Sequence, residues 1–326
     1  MATTTTGNAS ATLPNYYSKL FLERLQPGPI MMDYCMQQPL PSGSGLVMFF
    51  PRMTVSGTVP STYKITEGTI ITPETFSATA ITATIAQYAN AKGVTDLTEL
   101  TAISSTVSEV VKELADQANN VIDRTILWAA YGTSAAVAPT GAGNGFSVVF
   151  GNIDLVASTS AGPVYAGGAE FVMSTAVMRR WTKKLRGRNV QPFDDDLYAL
   201  IVHSDTEMVL QNDTTWQNSY FYTDPENPHR GVFGKYGGVK VVTDNNIFQS
   251  ANGSGSNVLS YSVLLGRGGL GASMLAGGVQ TFTKRSGEQS TNDPVNQLVT
   301  FGWKANFVPI VLNVSCGLII GTADSQ

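Results

Sequence analysis

Cysteine, histidine and charge are all scarce in this chain. Of 326 residues, two are cysteine (Cys35 and Cys316) and two are histidine (His203 and His229). Two thiols so far apart exclude a disulfide framework and a zinc module, and read as reduced residues of a cytosolic protein. The histidines stand in no frame with a nucleophile. No Gly-x-Ser-x-Gly, His-Glu-x-x-His or phosphate-loop pattern occurs, so catalysis finds no support. Charged residues make up 13%, against roughly 25% in an average soluble domain. Something other than dense surface charge must keep such a protein in its proper state. A subunit buried among copies of itself fits, and so does a Thr-rich β protein. The net charge of −4 provides no global basic field to recruit nucleic acid. Long hydrophobic runs are missing too. The stretch 307–321 is broken by Asn313 and Ser315 and is too short to span a bilayer. The opening MATTTTGNASATLP has neither the basic nor the apolar region of a signal peptide. No membrane role is expected.

What is present suffices for a core, since 43% of residues are hydrophobic. Residues 1–14 are small and Thr-rich and read as a tail. Tyr17, Leu20, Phe21, Arg24 and Leu25 then space one stripe of a short amphipathic helix. Pro27, Pro29, Pro39 and Pro41 hold the following segment extended, because each fixes φ and removes a donor. Between Val55 and Phe76 lie Gly57, Pro60, Gly68 and Pro73, with Lys64 and Glu67 reading as exposed. Thr79 to Ile85 alternates as a strand. Together these predict a two-stranded excursion with little core of its own, which needs a neighbour to lie on.

Residues 106–131 carry the clearest local signal. Thr106 and Glu109 match a capping box. Val107, Val110, Val111, Leu114, Ala118, Val121, Ile122 and Thr125 follow the 3.6-residue period, with Lys112, Asp116, Asn119 and Asp123 opposite. Gly132 stands where such a helix stops. The rod is about 40 Å long. Beyond a Gly/Ala/Ser loop, 171–185 reads as a second helix and 197–202 as a buried strand. Gly237-Gly238 marks a hairpin, and 261–265, 279–284 and 299–318 read as further strands. The class is α+β.

In this order the parts resemble the tailed-bacteriophage major capsid (coat) proteins of the Hong Kong 97 fold. Tyr16-Tyr17-Ser-Lys-Leu-Phe-Leu-Glu-Arg, Pro39-Leu-Pro and Gly45-Leu-Val-Met-Phe-Phe-Pro-Arg resemble the arm of one branch. Ile65-Thr-Glu-Gly-Thr resembles its loop tip, and Gly231-Val-Phe-Gly-Lys-Tyr-Gly-Gly-Val-Lys-Val-Val and Phe301-Gly-Trp-Lys-Ala-Asn-Phe resemble its body strands. The likeness covers about residues 15–322 and rests on order and spacing rather than on one diagnostic motif. It implies an N-terminal arm (1–53), an extended β loop (54–92), a spine-helix region (93–135) and a mixed axial and peripheral body (136–326). It also implies a non-enzymatic shell subunit of the virion, assembled in the bacterial host cytoplasm. Hexamers and pentamers would enclose double-stranded DNA without reading its sequence. No charged scaffolding segment precedes Tyr16, so a separate scaffolding protein is expected, with a portal protein and a decoration protein as further partners. No cofactor or metal is implied. Assembly contacts are expected from Tyr17, Phe21, Arg24 and Arg52 in the arm, and from Tyr63, Lys64 and Glu67 in the loop. Some relatives crosslink through a Lys–Asn bond near the position of Lys64, but a solvated lysine is the ordinary reading.

Two motifs compete with this picture. Gly266-Arg-Gly-Gly-Leu-Gly271 spells a dinucleotide fingerprint, yet Ala272 to Ala276 leaves at most one helical turn before Gly277-Gly278. The pyrophosphate needs a helix N-terminus, so a turn between strands is expected. Arg179, Arg180, Lys183, Lys184, Arg186 and Arg188 crowd ten residues ahead of Asp194, Asp195 and Asp196. A nucleic-acid patch is weighed against a helix whose charges meet acidic neighbours, and the latter is favoured. In a shell, Arg179, Arg180, Lys183 and Arg186 of one subunit would meet Asp194 and Asp195 of the next. An encapsulin-type compartment shell and a phage tail or carbohydrate-binding β protein remain as alternatives, with an oxidoreductase last.

Overall fold

The computed structural model describes residues 29–41, 43–53, 64–68, 70, 78–101, 106–132, 145–150, 172–194, 196–223, 234–250, 258–284 and 297–324. The arm helix expected around Tyr17, with Phe21 and Arg24, lies outside the described residues, as do Tyr63 and Asp195.

After a 3-10 turn at Ile30–Tyr34 come β1 (Cys35–Gln37), β2 (Val47–Met53), β3 (Ala78–Thr84) and β4 (Ala86–Thr95). Helices α1 (Asp96–Thr101) and α2 (Thr106–Tyr131) lead to β5 (Ser147–Phe150) and α3 (Thr175–Gly187). Then follow β6 (Tyr198–Val202), α4 (Ser204–Gln211), α5 (Thr214–Thr223), β7 (Lys235–Tyr236), β8 (Val239–Thr243) and β9 (Gln249–Ser250). The chain ends with β10 (Val258–Leu265), β11 (Leu270–Lys284), β12 (Leu298–Val311) and β13 (Gly317–Asp324).

Helix α2 realises the periodicity of its sequence. Val107, Val111, Leu114, Ala118, Ile122 and Ile126 are buried, mainly against β12, each fully buried Leu or Ile contributing roughly 1.5–3 kcal/mol. Gly132 follows at φ 72, a left-handed position that glycine takes without a Cβ clash. One residue departs from the pattern. Asp123, expected on the polar side, is 2% exposed, because the Ile30–Tyr34 turn packs on α2 there and the Met31 amide donates to Asp123 Oδ1 at 2.8 Å.

Two main sheets flank this helix. One has the order β1-β11-β12-β4, with only the β1–β11 pair parallel. The other has the order β5-β13-β10-β6-β8-β7, with β9 added to β10. Every residue of β6 is buried. Ala199 and Ile201 join the core around α2, while Tyr198, Leu200 and Val202 join a second core beneath α3. Covered on both faces, this strand reads as a continuous apolar run rather than an alternation.

The single strand expected over 299–318 is two strands in different sheets. Asn313 divides them, its side chain accepting the Ser315 amide at 3.1 Å and capping the turn Val314–Cys316. In the glycine-rich Gly266–Gly271 segment, Gly266 to Gly269 form the turn joining β10 to β11, with Gly268 at φ 76, and Leu270 and Gly271 already belong to β11. Ala272 to Ala276 continues as strand rather than a helical turn, so no helix N-terminus follows the fingerprint. Gly237 and Gly238 form the expected hairpin turn at φ 59 and 85.

Candidate assembly surfaces

Strands β2 and β3 form a sheet of their own, paired Met48↔Ala83 and Phe50↔Ile81. One face is closed. Met48, Phe50, Ala83 and Ile85 pack with Leu40 beneath Leu275, Val308, Ile310 and Leu312. The other face carries Val47 opposite Thr84, Phe49 opposite Thr82 and Pro51 opposite Ala80. It holds no charge, and Phe49 is 59% exposed. In the segment between the two strands, Lys64, Ile65, Glu67 and Ile70 are exposed. Arg52 stands exposed at its root. A cleft of about 890 Å³ opens there, between Phe50, Arg52 and Ile81 on one side and Met36 and Leu312 on the other.

Helix α3 is fixed at its start by two side chains. Ser174 Oγ accepts the Val177 amide, and Asp213 Oδ2 accepts both the amide and the hydroxyl of Thr175 at 2.8 Å. Partial burial alone would raise the Asp213 carboxyl, but these hydrogen bonds and those from Thr215 outweigh it and lower the pKa. The inward stripe is Val177, Met178, Trp181 and Leu185. Trp181 is 1% exposed, with Lys184 Nζ 5.0 Å and the Arg180 guanidinium 5.5 Å from its ring centre. Arg179, Arg180, Lys183 and Arg186 share the outward side. The structure therefore gathers these four cations on one face, but it does not bring Asp194 to them. Asp194 Oδ1 pairs with Arg267 Nη1 at 2.6 Å.

A polar cluster that the sequence did not reveal lies at the base of the N-terminal segment. Asp123 and Asp244 are 2% and 4% exposed. Asn246 Nδ2 donates to Asp123 Oδ2 at 3.1 Å, and the Asn246 amide donates to Asp244 Oδ1 at 2.9 Å. Burial, reinforced by a hydrogen bond with Asp244, pushes the Asp123 carboxyl up to about 8. Cys35 lies close by, its thiol donating to the Met31 carbonyl at 3.3 Å and pushed up to about 12, mainly by burial. Both cysteines are buried and free. His203 ends β6 and caps α4, Nδ1 accepting the Asp205 amide at 3.2 Å, which is the end-of-strand role its position suggests. Among the described residues, no group of three or more His, Cys, Asp or Glu could hold a metal ion, and no helix is long and apolar enough to cross a membrane.

No protein-family model matches the sequence, and no curated protein resembles it in sequence. Solved structures do resemble the fold. The capsid of Ralstonia phage GP4 superposes at a TM-score of 0.67 with 13% identity, over 90% of this chain and 88% of that one. The cyanophage Pam1 capsid asymmetric unit gives 0.64 with 15% identity, over 93% and 92%. A virus-like particle from Pyrococcus furiosus gives 0.51 with 9% identity, over 94% and 99%. The fold is therefore that of the phage capsid proteins. More narrowly, it is the Hong Kong 97 type, a mixed α+β architecture with a long helix.

Proposed function

We propose that this chain is the major coat subunit of a tailed bacteriophage, copies of which close into an icosahedral shell around double-stranded DNA. The observation that carries the reading is the β2–β3 sheet, covered on one face and uncharged on the other. A two-stranded sheet is marginal in water, and an uncharged outer face bearing Phe49 marks a place for another molecule. A neighbouring subunit is the natural cover, through a head-to-tail contact that closes into five- and six-membered rings. In this reading residues 1–53 form an arm, 54–92 an extended loop, 93–135 the spine region and 136–326 the ring-forming body. Tyr17, Phe21 and Arg24 contact one neighbour, while Arg52, Tyr63, Lys64 and Glu67 contact another. Each contact is modest, and the shell holds because many act together. A separate scaffolding protein and a portal protein complete the assembly, with a decoration protein on its outside.

Electron microscopy of the chain co-expressed with a scaffolding protein tests this. Closed icosahedral shells are expected from the intact chain, and a folded monomer that closes no shell from a chain lacking residues 54–77. Monomers or small rings from the intact chain would overturn the assignment. The likeness to the Pyrococcus furiosus virus-like particle supports a second reading, a compartment shell that packages protein. The contents of the shells, DNA or cargo enzyme, separate the two.

A further inference from the structure

Helix α3 shows solvent a single sign of charge. Its exposed residues are Ala176, Arg179, Arg180, Lys183, Arg186 and Gly187, so every exposed side chain longer than alanine is a cation. Arg179, Lys183 and Arg186 recur at i, i+4 and i+7 and form a stripe about 10 Å long. Arg179 and Arg186 both lie against the Gly237–Gly238 turn, which braces the stripe along the sheet edge. Among the described residues, no carboxylate pairs with Arg179, Lys183 or Arg186. Two acids of the same half of the chain have partners elsewhere, Asp213 in Thr175 and Asp194 in Arg267. The positive surface also runs on past the helix. Arg188, exposed just beyond the helix, donates from Nη1 to the Ser315 carbonyl at 3.4 Å.

Two kinds of partner carry the opposite charge, an acidic polypeptide and a phosphate backbone. Protein interfaces draw most of their energy from apolar anchors at their centre. The outer side of α3 offers none, because Val177, Met178, Trp181 and Leu185 are all turned into the core. Three of the four outward cations are arginines, whose planar forks match phosphate oxygens two at a time. Trp181 is too deeply buried to stack on a base, so the face grips a backbone and reads no sequence. Local charge density, not the net −4 of the chain, drives such binding, because counterions are released phosphate by phosphate. We infer that the outer face of α3, centred on Arg179, Lys183 and Arg186, binds the phosphate backbone of duplex DNA without regard to sequence. This goes beyond the shell reading and does not depend on it.

The test is fluorescence anisotropy of a labelled duplex of about 30 base pairs titrated with the full chain, from roughly 50 to 200 mM NaCl. The intact chain is expected to bind two unrelated sequences equally and to weaken steeply with salt. The triple variant Arg179→Gln, Lys183→Gln, Arg186→Gln is expected to flatten the log–log salt slope by about 2.7, three contacts at ~0.9 each. Arg179→Lys with Arg186→Lys keeps the slope, and Arg267→Gln, an exposed cation elsewhere, changes nothing. Thermal melting confirms that each variant folds. No binding by the intact chain at the lowest salt overturns the inference, as does an unchanged slope in the triple variant. So does a triple variant that loses only self-association, which would assign the face to the Asp194–Asp196 run of a second copy.

Discussion

Asp123 of α2 and Asp244, which directly follows β8, meet carboxyl to carboxyl inside the protein, joined by a hydrogen bond. Asp244 Oδ2 finds no amide, hydroxyl or amine donor, so the proton on Asp123 is the donor within its reach. The Met31 amide and the Asn246 side chain donate to Asp123, and among the described residues no cation pairs with either carboxyl. A like-charged pair in such a place cannot readily ionise twice.

Stability should therefore fall as pH rises. At low pH Asp123 is protonated in the folded and unfolded chain alike, and the full contribution of the pair is present. From about pH 4 the unfolded chain releases the proton that the folded one keeps, and the advantage is lost as pH climbs through about 8. Melting temperature between pH 5 and pH 9 should decline, and Asp123→Asn, which needs no proton, should flatten the decline. Equal slopes in the two proteins would refute the shared-proton account.

The outer face of β2 separates folding from assembly. Phe49→Glu places a charge on a side chain already 59% exposed, so subunit stability should change by no more than about 0.5 kcal/mol. Shell formation, followed by sedimentation and electron microscopy, should be abolished. Normal shells from this variant would remove the β2–β3 face from the interface.

Gly317 is held by an aromatic ring. A Cβ there would sit 2.6 Å from Phe146, which is fully buried. Gly317→Ala should cost about 1–3 kcal/mol through overpacking, and Phe146→Leu in the same chain should recover part of it. Denaturant unfolding of the single and double variants measures the coupling, and strictly additive losses would speak against the contact.

On α2 the two sides should respond differently. Leu114→Ala removes a side chain that is 1% exposed and should cost about 2–5 kcal/mol. Lys112→Ala on the solvent side should stay within about 0.5 kcal/mol. Urea unfolding midpoints of the two variants distinguish these outcomes.

How much of this was legible in the sequence depended on whether local pattern or distant packing decided each feature. The spine helix was legible to its final residue, since its apolar stripe and Gly132 act locally. Asp123 was not, because a carboxylate between Ile122 and Arg124 reads as polar until a segment some 90 residues away covers it. The break between β12 and β13 was hidden inside an apolar run, where Asn313 looked like an interruption rather than a cap. The basic cluster on α3 was visible as residues, but the pairing of Asp194 with Arg267 of the same chain was not, since it joins positions 73 residues apart.

Strand β13 has a temporal consequence. It lies between β5 and β10, and its pairing Ser147↔Leu318 joins residues about 170 positions apart. At typical synthesis rates, roughly 10–30 s separate the emergence of Val148 and Val149 from that of the strand that covers them. For that interval the nascent chain carries an unfinished edge, and many ribosomes on one message would place several such edges side by side. Chaperone demand during translation is thus set by the position of the last strand in the gene, and a circular permutant that moves β13 ahead of β5 would shorten the wait without altering a single contact.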